Sequence, residues 1–162
     1  MVKYHLRRIE KEITENKEKI QILRGGKYAV ISMCRENEAY LVTLSYGYDE
    51  SRNALYFHCA NEGQKIDFIN SNSYVCGTVI EDNGYMEGCG QAYRSVIFRG
   101  KMTIIDDLNE KKHGFDVLLN HLEENPDYYR KKFFKNEDAY IKPTILRLDI
   151  EDLTGKAEIA ES

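Results

Sequence analysis

The chain has no tryptophan and only two prolines in 162 residues. So little proline excludes polyproline and collagen-like architectures, and any aromatic pocket must be lined by the 12 tyrosines and 6 phenylalanines instead. No uninterrupted apolar run approaches the roughly 20 residues of a membrane-crossing helix. The N-terminal Met1-Val-Lys-Tyr-His-Leu-Arg-Arg8 leads into charges rather than an apolar stretch, so a cytoplasmic protein with no membrane contact is expected. Four cysteines, Cys34, Cys59, Cys76 and Cys89, stand far apart with no Cys-x-x-Cys pair. His5, His58, His113 and His121 do not supply the paired spacing of a zinc site either, so buried free thiols and no metal are expected. A formal net charge of −4 removes the broad electrostatic case for nucleic-acid binding. The one stretch that interleaves basic and aromatic residues, Tyr128-Tyr-Arg-Lys-Lys-Phe-Phe-Lys135, therefore reads as aromatics packed on the body with lysines in water.

What is present is a composition with 42% hydrophobic and 31% charged residues, enough to build one core, and the length suits a single domain over residues 1–162. Residues 9–24 form a charged helix candidate within an N-terminal helical segment (1–25), stopped by Gly25-Gly26. Two strand-like runs, 27–34 and 39–46, flank the polar Arg35-Glu-Asn-Glu38 as a hairpin. A third at 54–60 extends them into a meander. An apolar run at 74–80 precedes a glycine-containing loop at 81–90, and residues 92–105 form a long strand. Gly100 in its middle signals a bulge or bend of the kind that lets small barrels curl. Asp107 and Glu110 make a capping box for a packing helix at 107–124. Its stripe of Phe115, Leu118, Leu119 and Leu122 repeats at i, i+3, i+4, i+7, and Asn125-Pro126 ends it. Residues 144–150 alternate as the last strand. The fold class is mainly β with peripheral helices, curled into a barrel.

The most informative stretch is Leu55-Tyr-Phe-His-Cys-Ala-Asn-Glu-Gly-Gln-Lys-Ile-Asp67. Leu55, Phe57 and Cys59 fall on one face and Tyr56, His58 and Ala60 on the other, a pleated strand. Gly63 then allows a tight turn into a helix start carrying Lys65. Free N–H groups there suit a phosphate, although a strand, turn and helix with a solvated lysine has the same appearance. No dinucleotide fingerprint accompanies it, since Gly84, Gly88 and Gly90 lie in a loop rather than between a strand and a helix.

Five local words in order, Gly26-Lys-Tyr-Ala-Val-Ile-Ser32, Leu44-Ser-Tyr-Gly-Tyr-Asp49, Leu55-Tyr-Phe-His-Cys-Ala60 with Gly63-Gln-Lys65, Tyr93-Arg-Ser-Val-Ile97 with Gly100-Lys101, and Thr154-Gly-Lys156, span nearly the whole chain. In them the sequence resembles the pyridoxamine 5′-phosphate oxidase-like, FMN-binding split-barrel family, and within it the 5-nitroimidazole reductase (Nim-like) group.

The resemblance implies a six-stranded split β-barrel, paired as a homodimer with flavin mononucleotide at the subunit interface. Thr43, Leu44, Ser45 and Tyr46 would border the flavin ring largely through main-chain groups, and His58 and Cys59 would lie near the ribityl chain or ring edge. Gln64 and Lys65 would hold the phosphate, with Ser95 reaching in from the partner. His58 is the catalytic candidate, while a structural histidine is its plainer reading. Leu44, Tyr46, Tyr56 and Met86 are available as ring walls. FAD is the other flavin compatible with the same phosphate site.

Two departures carry weight. Gln64 stands where much of the family has a basic residue, which leaves Lys65 or a substitute such as Arg94 to hold phosphate. The arginine and histidine motif with which true pyridoxamine phosphate oxidases grip their substrate is missing, so that substrate is not expected. The function implied is an FMN-dependent oxidoreductase passing electrons to a small acceptor such as a nitroaromatic, with a non-catalytic flavin- or haem-binding module as the alternative.

Overall fold

The computed structural model describes residues 6–88 and 90–159, so His5 and Cys89 lie outside the described residues. Along the chain run α1 (Asn16–Gly25), β1 (Tyr28–Arg35), β2 (Glu38–Ser45), β3 (Gly47–Asp49), β4 (Ala54–Cys59), α2 (Gln64–Ser71), β5 (Tyr74–Met86), β6 (Gly90–Ile105), α3 (Leu108–Leu122), α4 (Pro126–Phe133), α5 (Asp138–Ile141) and β7 (Thr144–Glu158). The strands form one antiparallel sheet in the order β2-β1-β5-β6-β7-β4-β3, whose ends are not hydrogen-bonded to each other. There are seven strands rather than six. The addition is the three-residue β3, too short to show a pattern in sequence.

The sheet wraps one apolar core. Ala29, Ile31 and Met33 of β1, Leu55 and Phe57 of β4, Val96, Phe98 and Met102 of β6, and Leu146 and Leu148 of β7 all point into it. Ile22 and Leu23 of α1 and Phe68 of α2 close its ends. Each such fully buried Leu, Ile or Phe contributes about 1.5–3 kcal/mol of transfer free energy. A second, smaller core lies on the outside of the sheet, where Phe115 and Leu118 of α3 cover Ala54, Tyr56, Ile105 and Ile145.

The pairing of β6 with β7 is interrupted once. Arg99 pairs with Asp152 and Gly100 with Ile150, leaving Glu151 as an extra residue on β7, a bulge of the kind expected at Gly100.

Several expectations are corrected. The helix expected over residues 9–24 begins only at Asn16. Ile9–Lys11 is a short 3-10 turn, Glu12 bridges Lys156, and the Ile13 N–H donates to Gly155 O at 3.0 Å, so pairing with β7 overrides the helical pattern. Residues 81–86 and residue 90 are not loop but extend β5 and β6 into a hairpin arm, with a register shift between Asp82 and Tyr85. The meander does not form: β4 pairs with β3 and β7, and not with β2. Pro126 opens α4 rather than merely ending α3, with the Asn125 side chain accepting from Tyr128 N. Cys34 is exposed, on the outward face of β1, and Cys59 and Cys76 are half-buried; all three are free thiols. Among the described residues no helix is long and apolar enough to cross a membrane.

Candidate functional site

β2 is bonded to β1 along one edge only. The Tyr46 N–H donates to Lys27 O at 3.2 Å, so the main chain of Tyr46, and by alternation of Leu44 and Val42, turns toward β1. Thr43 and Ser45 therefore direct their main-chain N–H and C=O groups to the free edge. β4 meets β3 only at Ala54, Leu55 and Tyr56. Beyond that point, residues 57–59 have β7 on one side and no strand on the other. Extending the β3–β4 register, in which Gly47 faces Tyr56, would set Ser45 opposite His58 and Leu44 opposite Cys59, yet no ladder forms there. This is the split in the barrel. Its two lips carry the residues picked out at 43–46 and 58–59.

At the end of the split, Gly63 has φ +117°, where a Cβ would strain the backbone, and starts α2 without any side-chain cap. The helix thus presents its positive end bare. Lys65 sits in its first turn, half-buried, and neither the Lys65 nor the Gln64 side chain has a hydrogen bond or ion pair among the described residues. Burial pushes the Cys59 thiol up, against the opposing pull of the Lys65 charge, which places Lys65 close to the lip. Unpaired main chain along a cleft, with an uncapped helix start and a free ammonium at one end, fits a flat hydrogen-bonding molecule that carries a phosphate.

The proposed ring walls divide. The Tyr46 ring is fully buried, packed 4.9 Å from His121 and 6.5 Å from Phe57, with its hydroxyl donating to Leu23 O at 2.6 Å. Burial holds that phenol neutral far above the ordinary tyrosine range. Tyr56 is equally buried, on the α3 side, with its hydroxyl donating to Glu110 at 2.6 Å. Neither ring reaches the split, so Tyr46 can act there only through its main chain. Leu44 packs partly on the core, and Met86 lies at the end of the hairpin arm against Gly90.

Ser95 and Arg94 lie elsewhere. Ser95 pairs with Lys156 and His58 with Ile145, eleven residues apart along β7, or on the order of 35 Å of strand. Arg94 is committed to Glu81, Nε to Oε2 2.7 Å, so as a substitute phosphate ligand it is not brought to Lys65. Ser95 shares an outward face with Ile80 and Ile97, exposed by 58% and 40%, and β2 and β1 present Ser45 and Tyr28 on the same side.

The His58 ring projects from the side of β4 opposite to Cys59, toward the helices. There it lines a cavity of about 350 Å³ with Phe115, Leu119, Phe134 and Ala139, its ring centre 6.4 Å from that of Phe115. Phe134 stacks on Tyr140 at 4.3 Å and lies 4.6 Å from Phe115. The aromatics of 128–135 thus pack on α3 and one another rather than on the barrel, and Phe133 is exposed by 55%. Sequence reasoning missed this chamber. The stripe on α3 announces burial, but not that helices beyond Pro126 fold back over it.

The family model for pyridoxamine 5′-phosphate oxidase matches residues 15–157. The chain belongs to this family. It is a flavin-binding, oxidoreductase-like family, and the split described above is this chain's version of its fold. Among solved structures, a candidate 5-nitroimidazole antibiotic resistance protein from Bacteroides thetaiotaomicron is 23% identical. The match covers 90% of this chain and 85% of that one, with a TM-score of 0.77. A flavocytochrome from Azotobacter vinelandii superposes with a TM-score of 0.82 at 14% identity, over 97% of this chain and 73% of its own. An FAD- and haem-binding protein from Mycobacterium smegmatis gives 0.78 at 14% identity, over 94% and 76%. No curated protein matches the chain in sequence.

Proposed function

We propose that the chain is an FMN-dependent oxidoreductase that reduces small acceptors of the nitroaromatic type, working as a homodimer. The observation that carries the reading is the conjunction at one gap of the unpaired edges of β2 and β4 with the uncapped, lysine-bearing start of α2. Lys65 and the first N–H groups of α2 hold the phosphate, and Gln64 adds a neutral hydrogen bond beside them. Thr43 and Ser45 offer main-chain partners to the ring edge, and His58 and Cys59 border it from the opposite lip. Flavin, when bound, supplies reversible electron transfer; the protein supplies position and the electrostatic setting. The same phosphate site is compatible with FAD.

Ser95 is far from His58 along β7, although across β1 and β5 it stands level with Ser45 of the other lip, and in this reading it enters from a second copy. If Ser95 belongs to the site, it comes from a partner whose outward β5–β6 face, with Ile80 and Ile97, covers the split. A second reading, a flavin- or haem-binding module without turnover, draws on the haem-containing structural neighbours. The absorbance spectrum separates the two. A flavin band that bleaches with reductant and returns on adding a nitro compound supports the enzyme, whereas a flavin that stays oxidised or a haem band supports the module.

A further inference from the structure

We infer that the chamber between β4 and the helices α3, α4 and α5 is the acceptor pocket, and that it selects small, neutral, aromatic molecules. The inference rests on the flavin reading, because His58 joins the two places: its main chain belongs to the lip of the split and its ring lines the chamber. The volume, about 350 Å³, is at the small end for ligand pockets, right for a single substituted ring and too small for a porphyrin. Phe115, Phe134, Leu119 and Ala139 make the walls apolar, and the aromatic pair offers edge and face contacts to a flat guest.

Only two side chains of the lining are polar, and they set the chemistry. His58, an exposed residue on the lining, offers a ring nitrogen to a nitro or carbonyl oxygen. Glu123, which follows the last turn of α3, sits on the wall with no ion pair among the described residues, so its carboxylate disfavours an anionic guest. A neutral ring with one hydrogen-bond acceptor satisfies both.

The test uses the purified full chain, with its flavin and after the flavin is stripped, titrated with nitrobenzene and separately with benzoate, and read by NMR. Nitrobenzene should shift the His58 ring and Ala139 methyl signals in both forms, and benzoate should bind at least fivefold more weakly. Ala139→Phe, which fills the chamber, should weaken nitrobenzene at least tenfold while flavin content stays unchanged. Ala139→Leu, a smaller change, should give an intermediate loss and guards against misfolding of the larger one. Nitrobenzene that leaves the His58 and Ala139 signals unmoved, or that binds Ala139→Phe as well as the parent, overturns the pocket. A chain that never holds flavin but still shows the His58 shift keeps the pocket and refutes the flavin reading instead.

Discussion

The Tyr56 hydroxyl donates to Glu110 Oε1 at 2.6 Å, tying β4 to the first turn of α3 at a point 54 residues apart in sequence. Arg52 adds bonds of 2.9 and 2.7 Å to the same carboxylate, and Arg147 one of 3.2 Å. Burial alone would raise the Glu110 carboxyl, but these donors outweigh it and draw it down to about 2. With the folded value below the ordinary 4.5, the network's stabilisation is complete above about pH 4.5 and drains away as the pH falls toward 2. Tyr56→Phe should cost about 1.5–3 kcal/mol in urea unfolding at neutral pH, the usual size of a hydrogen bond to a charged group. Glu110→Gln should flatten the acid limb, so that parent and variant converge at low pH; parallel curves would contradict the assignment.

His121 predicts a second, milder pH effect. Burial lowers its imidazole below the ordinary 6.5, more than the hydrogen bond to Gly26 O at 2.6 Å raises it. A neutral ring is therefore the stable form, and stability should be full above about pH 6.5 and decline as the pH drops below it. Thermal melts of the parent and His121→Gln between pH 5 and 8 check the slope, which should shrink in the variant.

A methyl group at Gly100 would stand 1.9 Å from Asp149 O, a clash with main chain that no rotamer relieves. Gly100→Ala should cost at least about 1–3 kcal/mol, the scale of forced overpacking, and its denaturation midpoint measures this directly.

Gly100 also shows what the sequence could and could not disclose. A lone glycine in an apolar run announces a bulge, because only local backbone freedom is at stake. The Asp107–Glu110 pair was half legible: Asp107 does accept from Glu110 N at 2.8 Å, but the Glu110 side chain abandons the local box for Tyr56 and the two arginines. Partners brought by tertiary folding leave no mark at fixed spacing. The same holds at residues 81–86, where Asp82, Asn83 and Gly84 are poor strand formers locally, and the strand is carried past them by the pairs that Glu81, Asp82, Tyr85 and Met86 make with β6. At the site, the Leu55 to Asp67 stretch gave away both the strand and the bare helix start. The split did not show, because it depends on β3 pairing no further back than Gly47 while β4 continues three residues beyond Tyr56, the partner of Gly47.

Lys65→Ala should weaken flavin binding by about 1.5–3 kcal/mol, roughly tenfold to a hundredfold in Kd. Gln64→Arg, which adds a charge beside it, should tighten binding. Fluorescence quenching of added FMN measures both, and unchanged affinity in Lys65→Ala would remove the phosphate from α2.

His58→Ala should leave flavin bound and change acceptor turnover, because the imidazole faces the chamber rather than α2. Stopped-flow reoxidation of the reduced protein by a nitro compound reads this step alone; an unaltered rate would make His58 structural.

Heating the purified protein and identifying what it releases shows whether a flavin belongs to the split. The expected product is free FMN, or FAD, at one molecule per chain. Release of haem, or of no chromophore from protein that also fails to take up added flavin, would contradict the flavin reading.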